Sequence, residues 1–138
     1  MGPQALTDFA GNWRIVREIA DQKAGQVGRL TGEARFTADA EGLAYHESGW
    51  LEMGGGRMQA TRDYLWREGA GRVDVLFGDG RYFHSFDIGQ AAPEAAHWCD
   101  PDQYDVTYDF SDWPRWRSVW IVKGPRKDYR METQFSPL

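Results

Sequence analysis

Residues 42–68 read GLAYHESGWLEMGGGRMQATRDYLWRE, and this stretch decides the fold class. Two runs of alternating polarity, 42–53 and 57–68, flank a cluster of glycines. Alternation with a period of two is typical of strands with one buried face. Glycine tolerates the positive φ angles of a type I′ turn, so a two-residue turn at Gly55-Gly56 fits between the runs. We therefore predict an antiparallel hairpin.

The register of this hairpin places charged residues on its mostly apolar inner face. The Gly55-Gly56 turn pairs Gly49 with Arg62 and Glu47 with Tyr64, and it also places Tyr45 on the inner face. Buried charges are costly unless they are paired. We keep two alternatives open, an inward Glu47–Arg62 ion pair and an Arg62 that binds a ligand.

The same alternation continues along the whole chain, broken by Gly, Pro and Asp. One helical turn is predicted over 4–10. Strands are predicted over 12–20, 31–38, 42–53, 57–68, 72–77, 81–88, 95–99, 103–110, 115–123 and 128–136. We expect one all-β domain over 1–138, an antiparallel up-and-down β-barrel of about nine or ten strands.

Composition excludes several classes of function. The chain of 138 residues carries 16 Lys and Arg against 21 Asp and Glu without a basic block, which argues against a nucleic-acid partner. It shows no secretory signal and no apolar run long enough to span a membrane, so we expect a soluble protein without a membrane partner. Its single cysteine cannot form an internal disulfide, which fits the cytoplasm.

A second predicted hairpin, 72–88, contributes a histidine. A two-residue Asp79-Gly80 turn would pair Phe77 with Tyr82 and Val75 with His84, and all four side chains would face inward.

The stretch AAHWCDPDQYDVTYDF, residues 95–110, gathers further chemically active groups. Tyr104 and Tyr108 fall on the apolar face of an amphipathic strand, and His97 and Cys99 share a face of the preceding segment. Asp100-Pro101-Asp102 between them is typical of a turn.

Several kinds of chemistry remain open for these residues. His84, His97 and Cys99 could hold a metal, but their spacing matches no metal motif, so no metal or other cofactor is predicted. His84, His97 and Tyr104 are the candidates for acid–base catalysis. We expect four further basic residues at the surface: His46 and Arg81 facing outward, and Arg14 and Arg17 solvated or lying along aromatic surface.

The segment FAGNWRI, residues 9–15, opens the first strand. It resembles the Gly-x-Trp motif of the calycins, the superfamily of lipocalins and fatty-acid-binding proteins. The resemblance implies a basic side chain packed across the tryptophan, which would place Arg130 over Trp13 as a structural clasp. The segments DGRYFH, HWCDPDQY and GPRKDY also look like those of a lipocalin-like, single-domain family of uncharacterised proteins known mainly from bacteria.

The predicted interior combines apolar walls with a few polar anchors, as ligand pockets do. We therefore expect a small organic ligand, aromatic or amphipathic, with an anionic or hydrogen-bonding group. An enzyme using His and Tyr acid–base chemistry is the alternative, and an interaction module with a filled barrel is the third. The oligomeric state stays open, with a homodimer as one option. The predicted ligand-binding residues are Tyr45, Glu47, Arg62, Tyr64, His84, His97, Cys99, Tyr104 and Tyr108, within walls that also include Trp66, Phe77, Tyr82 and Phe86.

Overall fold

The computed structural model describes residues 2–138, which form one 3-10 turn and ten antiparallel strands. The 3-10 turn is Leu6–Phe9. The strands are β1 (Gly11–Asp21), β2 (Gln26–Ala38), β3 (Gly42–Met53), β4 (Gly56–Gly69), β5 (Arg72–Phe77), β6 (Tyr82–Asp87), β7 (Glu94–Cys99), β8 (Asp102–Asp109), β9 (Trp116–Lys123) and β10 (Asp128–Pro137). No helix in this part of the chain is long and apolar enough to cross a membrane.

The strands form one sheet in the order β6-β5-β4-β3-β2-β1-β10-β9-β8-β7. Every pair of neighbours is consecutive in the chain except β1 and β10, which pair antiparallel and curl the sheet into a barrel. Within residues 2–138, no backbone ladder joins β6 to β7. The predicted up-and-down barrel with an N-terminal turn is confirmed, and its ring of backbone hydrogen bonds has one gap.

The first hairpin turns one residue earlier than predicted. Gly54 and Gly55 have φ angles of 60° and 80° and form the turn, so Met53 pairs with Gly56. The register therefore shifts by two residues, which leaves every side chain on its predicted face. Arg62 now lies directly opposite Glu47 instead of Gly49.

The second hairpin follows the prediction except near its turn. Val75 pairs with His84 as expected, but the register shifts between Val75 and Leu76. Phe83 and His84, although adjacent in sequence, are consequently both buried. Tyr82 is 54% exposed and does not belong to the inner wall, because the irregularity turns it outward.

Aromatic side chains close the barrel end where the 3-10 turn lies. Phe9 is fully buried and makes edge contacts with Trp66, Trp113 and Trp116, at ring-centroid distances of 5.1 to 5.3 Å. Toward the opposite end, where the β3–β4 hairpin turns, the inward-facing positions become exposed, and Met58 is 62% accessible. The barrel therefore has one sealed end and one open end.

The predicted clasp of Arg130 over Trp13 is wrong. Trp13 pairs with Pro137, whereas Arg130 pairs with Ala20 near the other end of β1. Trp13 instead donates its indole hydrogen to the Phe9 carbonyl oxygen at 2.9 Å, and Arg130 forms an ion pair with Glu132. The antiparallel register separates the two residues along the strand pair.

Candidate functional site

A small cavity lies in the middle of the barrel. Its volume is about 40 Å³. A buried water needs at least about 10–15 Å³, so the cavity has room for about three waters or a comparable number of ligand atoms. The lining residues come from eight of the strands: Arg17, Tyr45, Glu47, Arg62, Tyr64, Trp66, Val75, His84, Tyr108, Trp116, Ser118, Trp120, Met131, Thr133 and Phe135.

Glu47 is bound by Arg17, not by Arg62. Arg17 Nη1 and Nη2 donate to the two Glu47 carboxylate oxygens at 2.6 and 2.8 Å, and Arg17 Nε donates to Thr133 Oγ1 at 2.7 Å. Tyr45 donates its hydroxyl hydrogen to Glu47 at 2.5 Å. The expected Glu47–Arg62 pair is therefore wrong, and so is the surface position of Arg17, because Arg17 lies in phase with Trp13 and faces inward.

The charges of this buried pair stabilise each other. Burial alone would raise the pKa of Glu47, but the hydrogen bonds and charge of Arg17, with the Tyr45 hydroxyl, hold it below its usual value. Burial likewise opposes the charge of Arg17, yet Glu47 raises the pKa of the guanidinium. Both groups therefore stay ionised, and their charges cancel.

Arg62 is the cationic side chain of the cavity that has no carboxylate partner within residues 2–138. Its Nη1 donates to the Tyr64 hydroxyl oxygen at 3.4 Å, and its guanidinium carbon lies 5.7 Å from the centre of the Trp120 ring. Because Arg17 neutralises Glu47, the positive charge of Arg62 is left over. The ionisable lining residues Arg17, Glu47 and Arg62 therefore carry a net positive charge.

His84 and Trp116 both line this cavity, and each has a buried nitrogen without a partner in residues 2–138. His84 Nε2 lies 2.8 Å from the Tyr108 hydroxyl, whereas His84 Nδ1 and Trp116 Nε1 are buried without a partner in the described chain. Burial, with a smaller contribution from the charge of His97, lowers the pKa of His84 from 6.5 to about 3. His84 is therefore neutral at physiological pH, which makes it a poor acid–base catalyst there.

The structure divides the predicted ligand-binding residues into two groups. Tyr45, Glu47, Arg62, Tyr64, His84 and Tyr108 line the cavity. His97, Cys99 and Tyr104 do not. The His97 ring packs against Phe83 at 5.5 Å, and the Tyr104 hydroxyl accepts a hydrogen bond from Lys127 Nζ at 3.1 Å. Both His97 and Tyr104 pack against Phe83 of β6 and not against the cavity.

Cys99 is exposed at the end of β7, whereas His84 is buried. The candidate metal set of His84, His97 and Cys99 is therefore not assembled. In residues 2–138, no group of three His, Cys, Asp or Glu side chains is arranged to hold a metal ion. Of the four basic residues expected on the surface, Arg14, His46 and Arg81 are exposed, and His46 Nδ1 lies 2.7 Å from Asp63.

The cavity residues that sequence reasoning missed are Arg17, Trp116, Ser118, Trp120, Met131, Thr133 and Phe135. Alternation places Arg17 in phase with the buried Trp13 and Ile15, and that pattern was sufficient to predict that Arg17 faces inward. Trp116 and Trp120 likewise share a face of β9 with Ser118. Their direction could be predicted, but not that they meet Arg62 and His84, because those residues come from distant strands.

A larger depression of about 390 Å³ lies outside the cavity, beside β9 and β10. Its charged side chains are paired with each other, Arg117 with Asp109 at 3.3 Å and Arg115 with Asp112 at 3.9 Å. This depression therefore offers no unpaired charge to a ligand.

Comparison with known proteins supports the fold and identifies the family. The chain is similar to the S-type phycobiliprotein lyase from Guillardia theta, with a TM-score of 0.59 and 12% sequence identity over 94% of this chain and 87% of the lyase. At that identity the similarity establishes the fold alone. No curated protein matches the chain. Residues 9–137 match the model of a family of unknown function, DUF6314, and the chain therefore belongs to that family.

Proposed function

We propose that the barrel binds a small organic anion in its central cavity. The observation that carries this proposal is the position of Arg62, a cation without a carboxylate partner beside a Glu47 that Arg17 already neutralises. Arg62 faces inward but is only partly buried, so its guanidinium is available to an anion that enters the barrel.

The cavity volume limits how much of the ligand can be enclosed. An apolar cavity of about 150 Å³ is known to hold benzene, and the cavity here has about 40 Å³. An aromatic ring would have to displace aromatic side chains, whereas about three atoms at the end of an acyl chain fit the enclosed volume, with the rest of the chain and its carboxylate toward the open end. The structural similarity to a phycobiliprotein lyase is compatible with a barrel that holds a small molecule.

The ligand would enter from the open end. Arg62, Glu47, Trp120 and Met131 are the lining residues nearest that end on their strands, and Trp66 and Trp116 lie deeper. A carboxylate would therefore meet the Arg62 guanidinium first, with the Trp120 ring beside it.

Titration with short alkanoates tests the proposal. We expect pentanoate and hexanoate to quench the fluorescence of the cavity tryptophans and to shift amide resonances of β3, β4 and β9. The uncharged amides of the same acids should bind at least about tenfold more weakly, because a charge-assisted hydrogen bond is roughly twice as strong as a neutral one.

Arg62→Gln should weaken alkanoate binding by at least about tenfold. Arg81→Gln is the matched control, since Arg81 is an exposed arginine on the β5–β6 turn that pairs with Asp79, and it should bind as the wild type does. Equal affinity of the two variants, or resonance shifts confined to the outer surface, would contradict the proposal.

A further inference from the structure

The buried polar atoms of the cavity residues that lack a partner in the described chain are two nitrogens, His84 Nδ1 and Trp116 Nε1. Arg62 is a donor by chemistry, and the indole nitrogen of Trp116 can only donate. Trp116 is 4% exposed and His84 is 1% exposed, so neither nitrogen is solvated from outside. Whether His84 Nδ1 donates or accepts depends on the tautomer of the ring, and the tautomer follows from the hydrogen bond with Tyr108.

The Tyr108 hydroxyl has one hydrogen-bond partner in the described chain, His84 Nε2 at 2.8 Å. If His84 Nε2 carried the proton, the buried hydroxyl hydrogen of Tyr108 would have no acceptor, and an unpaired buried group is costly. Tyr108 therefore donates to Nε2. The neutral His84 ring then carries its proton on Nδ1, which becomes a second unpaired donor.

The carboxylate acceptor of the cavity is already used. Glu47 is the one carboxylate among the lining residues, and it accepts two hydrogen bonds from Arg17 and one from Tyr45. The occupant must therefore bring its own acceptors to two places, the Arg62 guanidinium and the N–H groups of His84 and Trp116.

These two places differ in depth and in charge. In the backbone ladders Arg62 lies opposite Glu47. His84 lies opposite Val75, and Val75 lies opposite Trp66, which is four residues deeper along β4 than Arg62. The outer place is cationic. The inner place is neutral, because His84 is uncharged and indole carries no charge, so it favours an uncharged acceptor such as a carbonyl oxygen.

Resting on the proposed function, we infer that the ligand class is an oxo-carboxylic acid. Its carboxylate binds Arg62 near the open end, and its carbonyl oxygen accepts hydrogen bonds from Trp116 Nε1 and His84 Nδ1 in the deeper part. The terminal methyl and carbonyl groups, three non-hydrogen atoms, match the enclosed volume, and the carbon atoms that join them to the carboxylate lie toward the open end.

Calorimetric titration with matched acids tests this inference. The series is 4-oxopentanoate, 5-oxohexanoate and 6-oxoheptanoate, each against the alkanoate of equal length. We expect at least one oxo acid to bind about tenfold or more tightly than its alkanoate, since a site with buried donors rejects an analogue that lacks the acceptor. Equal affinities within every pair would overturn the inference and leave the proposed function standing. Absence of binding by both classes would overturn the proposed function and the inference with it.

Two variants test whether the preference for oxo acids over alkanoates depends on Trp116 and His84. Trp116→Phe keeps a ring against Phe135 and removes the N–H, and His84→Gln keeps a partner for Tyr108 but has no nitrogen at the Nδ1 position. Each should reduce the ratio of oxo-acid to alkanoate affinity at least about threefold. Trp50→Phe, at an exposed tryptophan on β3, is the control and should preserve the ratio. An unchanged ratio in both cavity variants would contradict the inference.

A measurement on the wild type covers the case in which these variants fail to fold. The indole 1H resonance of Trp116 should move farther downfield when the preferred oxo acid binds than when the matched alkanoate binds, because only the oxo acid offers it an acceptor. Identical behaviour with both acids, as expected if ordered water alone pairs with the indole, would overturn the inference.

Discussion

His84 combines almost complete burial with a single protein hydrogen bond. Its side chain is 1% exposed, and its pKa falls to about 3 because burial disfavours the charged ring, with His97 adding a smaller repulsion. Tyr108 is equally enclosed, and burial raises the pKa of its phenol well above 10, so it stays a neutral donor. The pair therefore supplies hydrogen-bonding geometry rather than charge.

The lowered pKa predicts an acid-sensitive fold. Above pH 6.5 His84 is neutral in both the folded and the unfolded chain. As pH falls from 6.5 toward 3, only the unfolded chain binds the proton, so the free energy of unfolding decreases. One pKa unit corresponds to about 1.4 kcal/mol, so we expect up to about 2 kcal/mol of stability to be lost between pH 6.5 and pH 5.

Urea denaturation at a series of pH values measures this loss. His84→Phe removes the titrating group, so its stability should change little over the same interval even if its absolute stability is lower. Carboxylates contribute mainly at lower pH, since their usual pKa values lie near 4. A wild-type stability that stays flat from pH 6.5 to pH 5 would contradict the prediction.

Among the elements, the backbones of β2 and β3 come so close together that only glycine fits at the point of contact. Gly32 and Gly49 face each other across the ladder. A Cβ atom on Gly32 would overlap the Ser48 carbonyl oxygen and lie 2.5 Å from the Gly49 Cα. Because these obstacles are backbone atoms, no side-chain rotation relieves them, and the two strands would have to separate.

We therefore expect Gly32→Ala to lower the free energy of unfolding by roughly 1–3 kcal/mol or more, the cost of overpacking. Gly69→Ala is the matched control, because Gly69 lies in β4 with no atom near its would-be Cβ. It should stay within about 0.5 kcal/mol of the wild type. Thermal and chemical unfolding of the two variants measure the difference, and equal stabilities would show that β2 and β3 separate without cost.

At the scale of the whole molecule, the seam between β6 and β7 distinguishes this barrel from a fully closed one. In the described residues side chains span the seam: Tyr108 of β8 is hydrogen-bonded to His84 of β6 at 2.8 Å, and Phe83 of β6 makes an edge contact with His97 of β7 at 5.5 Å. Side-chain contacts restrain strands less cooperatively than a ladder does, so this seam is the region most easily opened.

Amide hydrogen exchange tests that expectation. The amides of β6 and β7 that face the seam should exchange faster than those of β1, which is hydrogen-bonded to β2 and β10 on both sides. Tyr108→Phe removes the hydrogen bond to His84 and should accelerate exchange in β6 while leaving β2 and β3 unchanged. Protection in β6 and β7 equal to that of β1 would contradict the expectation.

Much of this architecture could be predicted from alternation and turn residues. The period-two pattern identified all ten strands, and it assigned Tyr45, Glu47 and Arg62 to the inner face correctly even though the first turn was misplaced. A shift of two residues preserves the face of every side chain, so the error changed which residues oppose each other and nothing else. The start of β2 at Gln26, five residues before the prediction, was missed because Gln26–Leu30 does not alternate clearly.

The sequence by itself thus determined the fold, the inward direction of most polar groups and the excess of aromatic residues around them, because these depend on local periodicity and composition. Only the tertiary structure decided which charges pair. Arg17 reaches Glu47 from β1, two strands away, and thereby leaves Arg62 free, while His97, Cys99 and Tyr104 fall outside the cavity. Such partnerships depend on how the sheet curls and staggers around the barrel, and the pattern within a single strand carries no information about that.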